Sequence, residues 1–246
     1  MTFKIDYWHA KLMSNLGKYK TLGDMIHNEA IIKEYVDDIA KKFKKYNISI
    51  GNDWKEDVIP IIQSSCQYEV MDAYSHYSSM MIVTVATYIE AMISEFYITL
   101  FSAKPNLMHN YIIAGEQGDK AGRVSLKEIL AHNNIEHLKL DLAKKSAKNA
   151  SNGNFNSVIS RIKDLTKCEC EQGIIKDIEQ LMITRQRVIH EAADIHVDFD
   201  EIKKHFNNAE LLLKYLGGCC QKTKLPFSDQ GYLVTSAPAF DDNLAI

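Results

Sequence analysis

Apolar residues recur at helical spacing along most of this chain. Over residues 22–46, Ile26, Ala30, Ile31, Ile32, Tyr35, Val36, Ile39, Ala40 and Phe43 follow the 3.6-residue period. Lys33, Glu34, Asp37, Asp38, Lys41, Lys42, Lys44 and Lys45 fill the positions between them. That alternation predicts an amphipathic helix with a solvated lysine face. The pattern breaks over 47–54, which holds Gly51, and resumes over 55–75 as a second helix that tolerates Pro60 only near its start.

Residues 78–101, SSMMIVTVATYIEAMISEFYITLF, are the most apolar part of the sequence. Their length would allow a membrane span, but Glu90 and Glu95 fall inside it, and a carboxylate at mid-membrane depth costs ~2.5–3.5 kcal/mol on insertion scales. No cluster of Lys or Arg flanks the segment to set an orientation. A helix apolar nearly all round reads instead as the central helix of a soluble bundle.

Downstream, 102–122 carries Pro105, Gly115, Gly118 and Gly122 and reads as an irregular connection with one short helix. Ser125 with Glu128 forms a capping box that starts the next helix. Residues 139–153 are polar and basic through Lys139, Lys144, Lys145 and Lys148, and they end in a loop over 149–156. Helical spacing returns over 155–165, 171–190 and 198–216, with Gly217-Gly218 expected as the last C-cap. The predicted organisation is a helical N-terminal extension (1–77), a helical domain (78–220) and an irregular C-terminal tail (221–246).

Composition narrows the class. The 246 residues include only 11 glycines and 4 prolines, a share well below the usual ~12%. A sandwich or Rossmann-type sheet needs more turns than that, so the expected fold class is all-α. The net charge of −3, from 29 basic and 32 acidic residues, excludes a strongly basic duplex-DNA binder. Five cysteines (Cys66, Cys168, Cys170, Cys219, Cys220) and an opening MTFKIDYW that is no signal peptide fit reduced thiols in the cytoplasm. Cys168, Cys170, Cys219 and Cys220 lack the two-knuckle spacing of structural zinc, so no metal and no cofactor is expected.

No phosphate loop, nucleophile elbow or His-Glu-x-x-His motif is present. The segment Ile183-Thr-Arg185-Gln186-Arg187-Val188-Ile189-His190-Glu191 stands out. RNA is cut without a metal when a base takes the ribose 2′-OH proton, an acid protonates the leaving oxygen, and a cation neutralises the phosphorane. Histidine is the side chain suited to such proton transfers and His190 supplies one, Arg185 offers a planar cationic fork, and Gln186 can orient a phosphate or the imidazole. The competing account is that Arg and His in the last turn complement the helix dipole. Five residues on an ideal helix rotate by ~140°, so Arg185 and His190 do not share a face and converge only at a bend or across two subunits. Glu90 sits with Thr87, Ser94 and Tyr97 on a narrow polar stripe. It is expected either as a buried carboxylate satisfied by hydroxyls or by Arg185, or as a residue that orients Arg185 or His190.

The stretch from Asp177 to Glu191 resembles the signature of the HEPN superfamily: Arg, a polar residue, a few variable positions, then His, followed by another helix. Gln186 stands where that family more often has Asn. The Tyr88-Ile-Glu90-Ala-Met helix resembles the acidic long helix of its abortive-infection and RNA-processing ribonuclease branch. The resemblance spans residues 78–217 and implies an antiparallel HEPN-type helix core. It also implies a metal-independent endoribonuclease of the toxin or phage-defence type, acting on RNA as a homodimer, with an antitoxin or regulatory partner and no membrane. Carried over, Arg185 would stabilise the scissile phosphate and His190 would be the general acid or base. The alternative is a catalytically silent helical module that dimerises or binds a nucleotide or partner protein.

Overall fold

The computed structural model describes residues 1–49, 58–112, 129–132, 134–191 and 197–231. The expectations placed on Gly51, Gly115, Gly118, Gly122, the Ser125–Glu128 capping box and most of the C-terminal tail lie outside them. The all-α expectation holds: the architecture is a helical bundle. Helix α1 spans Ile5–Ile26, α2 Glu29–Ser49, α3 Val58–Ala103, α4 Ile135–Ala150, α5 Phe155–Thr166, α6 Gln172–His190 and α7 Phe199–Thr223. A 3-10 turn, Pro105–Asn110, follows α3. Among the described residues the strands are β1 (Phe3–Lys4) and β2 (Phe227–Ser228), paired parallel with Phe3 opposite Phe227.

The expected first helix over 22–46 is two helices. Asn28 interrupts it, its side-chain oxygen accepting from the N–H groups of Ala30 and Ile31 and so capping α2. Upstream, Ile5, Trp8, Leu12, Leu16 and Tyr19 bury one stripe of α1 at helical spacing. Glu95 of α3 fixes the start of α1 by accepting from Lys4 N (2.9 Å) and Trp8 Nε1 (2.8 Å). This explains one of the two carboxylates in the apolar segment.

The expected helices 55–75 and 78–101 are a single helix of 46 residues. The polar run 75–79 does not break it, because Ser78 Oγ donates to Tyr74 O one turn back (2.9 Å) and meets Tyr19 Oη (2.7 Å). From Ser78 onward α3 is densely buried and packs against α1, α4, α6 and α7. Its N-terminal half buries little beyond Cys66 and Tyr74 and packs against α2. α3 is long and apolar enough to cross a membrane, yet half of its most apolar window is buried inside the bundle.

The boundary expected at residue 77 therefore falls inside α3. Phe3, Ile5, Trp8, Leu12, Leu16 and Tyr19 also belong to the same core as Ile89, Phe96, Ile178 and Leu216. α1 is a structural layer of that core, since each such buried side chain contributes ~1.5–3 kcal/mol.

The last helix also departs from expectation. It runs through Gly217-Gly218 to Thr223 and ends at Lys224 in the left-handed conformation (φ 56°). Cys219 and Cys220, both 0% exposed, continue its buried face past the glycines and hold the helix together there. The polar segment 139–153 is mostly α4, capped by the Asn134 side chain.

Candidate functional site

Helices α3, α5 and α6 and the turn between α4 and α5 enclose an open cavity of about 550 Å³. Glu90 and Ile93 come from α3, and Phe155 and Val158 from α5. α6 supplies Glu179, Met182, Ile183, Arg185 and Gln186, and the turn supplies Ser151, Gly153 and Asn154. The floor is apolar: Ile93, Phe155 and Val158 are buried.

The turn is held from several directions. The Arg161 guanidinium donates to Ala150 O (2.8 Å) and to Asn152 O. Asn154 caps α5 by accepting from Ser157 N (2.8 Å). Glu179 on α6 accepts from Asn156 N (3.1 Å), which ties the turn to the opposite wall. Gly153 lies at φ +107°, a conformation that favours glycine.

Arg185 pairs with Glu90, Nη1 to Oε1, at 3.6 Å. Its Nε is buried and has no acceptor among the described residues. Glu90 is half exposed, so the expectation of a buried carboxylate gives way to a rim carboxylate paired with an arginine. Thr87 is exposed and donates to Val83 O (2.8 Å), while Tyr97 is fully buried and donates to Val158 O (3.0 Å). The polar stripe around Glu90 therefore does not converge on it.

Arg185, Gln186 and Glu90 thus meet on one cavity. His190, the last residue of α6, is exposed and does not line it. It shares a face instead with Ile183 and Gln186, at i, i+3 and i+7, all exposed. Arg187 pairs with Glu191 across one turn (3.7 Å). Asp194 and His196, the acidic and imidazole side chains that follow this segment in the sequence, fall outside the described residues.

Sequence reasoning did not single out Glu179, Ser151, Asn154 or Phe155. The 149–156 loop was visible as a turn, but its meeting with α6 is a long-range event with no local signature.

Two histidines elsewhere in the chain make local polar contacts. His132 bonds Asp141 (2.8 Å), and His27 Nδ1 lies 2.8 Å from Gly23 O. Among the described residues, no three His, Cys, Asp or Glu side chains are grouped to hold a metal ion. Burial pushes the Cys170 thiol up to about 11 and the Cys220 thiol up to about 12, so both are protonated at neutral pH. A second cavity of about 490 Å³ lies between α1, α2 and α3, where His27, Lys33, Asp37 and Gln63 line an apolar base. It contains none of the candidate residues.

No protein-family model matches the chain, and neither a curated protein nor a solved structure matches it.

Proposed function

We infer that the protein is a metal-independent endoribonuclease of the defence or toxin type, acting in the cytoplasm as a two-fold dimer. The observation that carries this reading is Arg185: a guanidinium on the wall of an open cavity, paired with Glu90 at 3.6 Å. An incoming phosphate oxygen would be met by the Nη groups of that guanidinium, one of which stands 3.6 Å from Glu90 Oε1.

In this mechanism one His190 takes the proton of the ribose 2′-OH. The 2′-oxygen attacks phosphorus, and Arg185 neutralises the charge that builds on the phosphorane. The bond to the 5′-oxygen breaks, a second His190 protonates that oxygen, and the products are a 2′,3′-cyclic phosphate and a 5′-hydroxyl. One chain cannot supply this arrangement, because it needs two imidazoles and each chain carries one His190, which does not line the Arg185 cavity. A two-fold partner seated on the stripe of Ile183 (56% exposed), Gln186, Ile189 (44% exposed) and His190 would bring two imidazoles together. Glu90 then positions Arg185. Lys144, Lys145 and Lys148, exposed on the last turns of α4, would follow the RNA backbone.

The test is an RNA digest with the full chain in EDTA. Wild type should cut and leave cyclic phosphate ends, and His190→Ala should not cut. The second reading, a silent helical module, is favoured by the separation of His190 from Arg185 within one chain. It wins if wild type and both His190→Ala and Arg185→Lys leave RNA intact.

A further inference from the structure

The Arg185 cavity is poorly suited to holding a phosphate in its interior. Its lining charges are one guanidinium and two carboxylates, Glu90 and Glu179, so an anion seated deep inside would face net negative charge. A flat neutral ring would not. Ile93, Val158 and Met182 offer apolar contact, and the volume of about 550 Å³ suits a small ligand group. The cavity also exists before any ligand arrives, because Glu179 is bonded to Asn156 N and the turn is fixed by Arg161 and Asn154.

We propose that this cavity is a nucleobase site, selective for a base with an exocyclic amino group, beside the phosphate held by Arg185. The inference rests on the ribonuclease reading for its choice of ligand. Glu179 uses one oxygen to accept from Asn156 N. An ionised carboxylate has about four acceptor sites and no donor, so room remains for an amino N–H and none for a keto oxygen. Adenine fits this requirement; unsubstituted purine, with hydrogen in place of the amino group, offers no donor on that edge. The base packs on Ile93, Val158 and Met182, and its phosphate lies at the rim against the Arg185 guanidinium.

The test is a titration of the full-length protein with adenosine monophosphate and purine riboside monophosphate, following the methyl resonances of Met182 and Ile93. Adenosine monophosphate should shift both methyls and bind at least tenfold more tightly than purine riboside monophosphate. Glu179→Gln keeps a carbonyl for the Asn156 N–H but loses the charge, and should cut that ratio below threefold. Ser151→Phe should fill the cavity and abolish the shifts from both nucleotides. Equal affinities, or adenosine monophosphate that moves neither methyl, would overturn the proposal. RNA cleavage whose site preference is the same in wild type and Glu179→Gln would also overturn it while leaving the ribonuclease reading in place. Selective binding by a protein that cuts no RNA would keep the base site and remove the ribonuclease reading.

Discussion

A guanidinium carries five N–H donors. At Arg185 the described residues supply an ion-pair partner, Glu90, and no acceptor for the buried Nε. Lysine at this position keeps the charge but cannot make the two-point contact with a phosphate. Arg185→Lys should therefore lose RNA cleavage while retaining the thermal unfolding midpoint of a folded chain. Glu90→Gln separates positioning from stability. A half-exposed ion pair contributes ~0.2–1 kcal/mol at most, so the midpoint should scarcely move, while cleavage should fall tenfold or more. A cleavage rate unchanged in Glu90→Gln would remove Glu90 from the site. The pairing itself was legible in the sequence, because a carboxylate in an apolar helix calls for a cation and Arg185 follows an apolar helix of its own. The exposure of Glu90 was not legible, since it depends on how far apart α3 and α6 stand.

His205 is a separate case at the same scale. It is 6% exposed, and among the described residues neither ring nitrogen has a hydrogen-bond partner, with Glu201 Oε1 3.9 Å from Nε2. Burial, with a smaller contribution from the Lys204 charge, holds its pKa below the ordinary 6.5, against an opposing pull from Asp177. The unfolded chain therefore binds this proton more readily than the folded one. Folding stability is unaffected above pH 6.5 and is lost as pH falls through that value toward the depressed folded one. His205→Phe should unfold at a higher temperature than wild type at acid pH, with a shallower loss between about pH 7 and 5. His9, also depressed chiefly by burial, keeps part of the slope. A variant with the wild-type slope would show that His205 is not the group responsible.

At the scale of elements, α3 carries the molecule. Its continuity through 75–79 can be tested at His76, which is exposed in mid-helix. His76→Pro removes a backbone donor and clashes with the preceding turn, at a cost of ~3 kcal/mol or more. A large fall in the unfolding midpoint is expected, and a small one would mean that the helix is already broken there. Periodicity located α5 and α6 well, because their apolar stripes are short and bounded by Asn154 and Glu171. It failed at Asn28, where a side-chain cap splits an unbroken apolar rhythm. It failed again at Gly217-Gly218, where local propensity favours a stop but burial of Cys219 and Cys220 overrides it. The cavity wall formed by the α4–α5 turn could not be read at all, because Arg161, Asn154 and Glu179 assemble it from three separate segments.

Across the whole molecule, the two ends of the described chain meet. Phe3 N donates to Pro226 O (3.0 Å), and Phe3 packs edge-on against Phe96 of α3. The first residues are thus part of the core that supports the site, and their removal should unfold more than the N-terminus. The assembly prediction belongs at this scale too. Replacing Ile183 and Ile189 together with Asp alters two exposed side chains, so the circular dichroism spectrum should be retained. Light scattering should then report a monomer where wild type is a dimer, and cleavage should be lost with the interface. A fully active monomer would dismiss the shared cleft.

The central claim is that His190 and Arg185 cut RNA through its own 2′-hydroxyl. The most direct measurement is end-group analysis of RNA digested by the wild-type protein in EDTA, alongside His190→Ala at equal concentration. The account predicts 2′,3′-cyclic phosphate and 5′-hydroxyl ends from wild type, and a rate lower by ~10²–10⁴-fold from the variant. Linear 3′-hydroxyl and 5′-phosphate ends, or undiminished cleavage by His190→Ala, would contradict it.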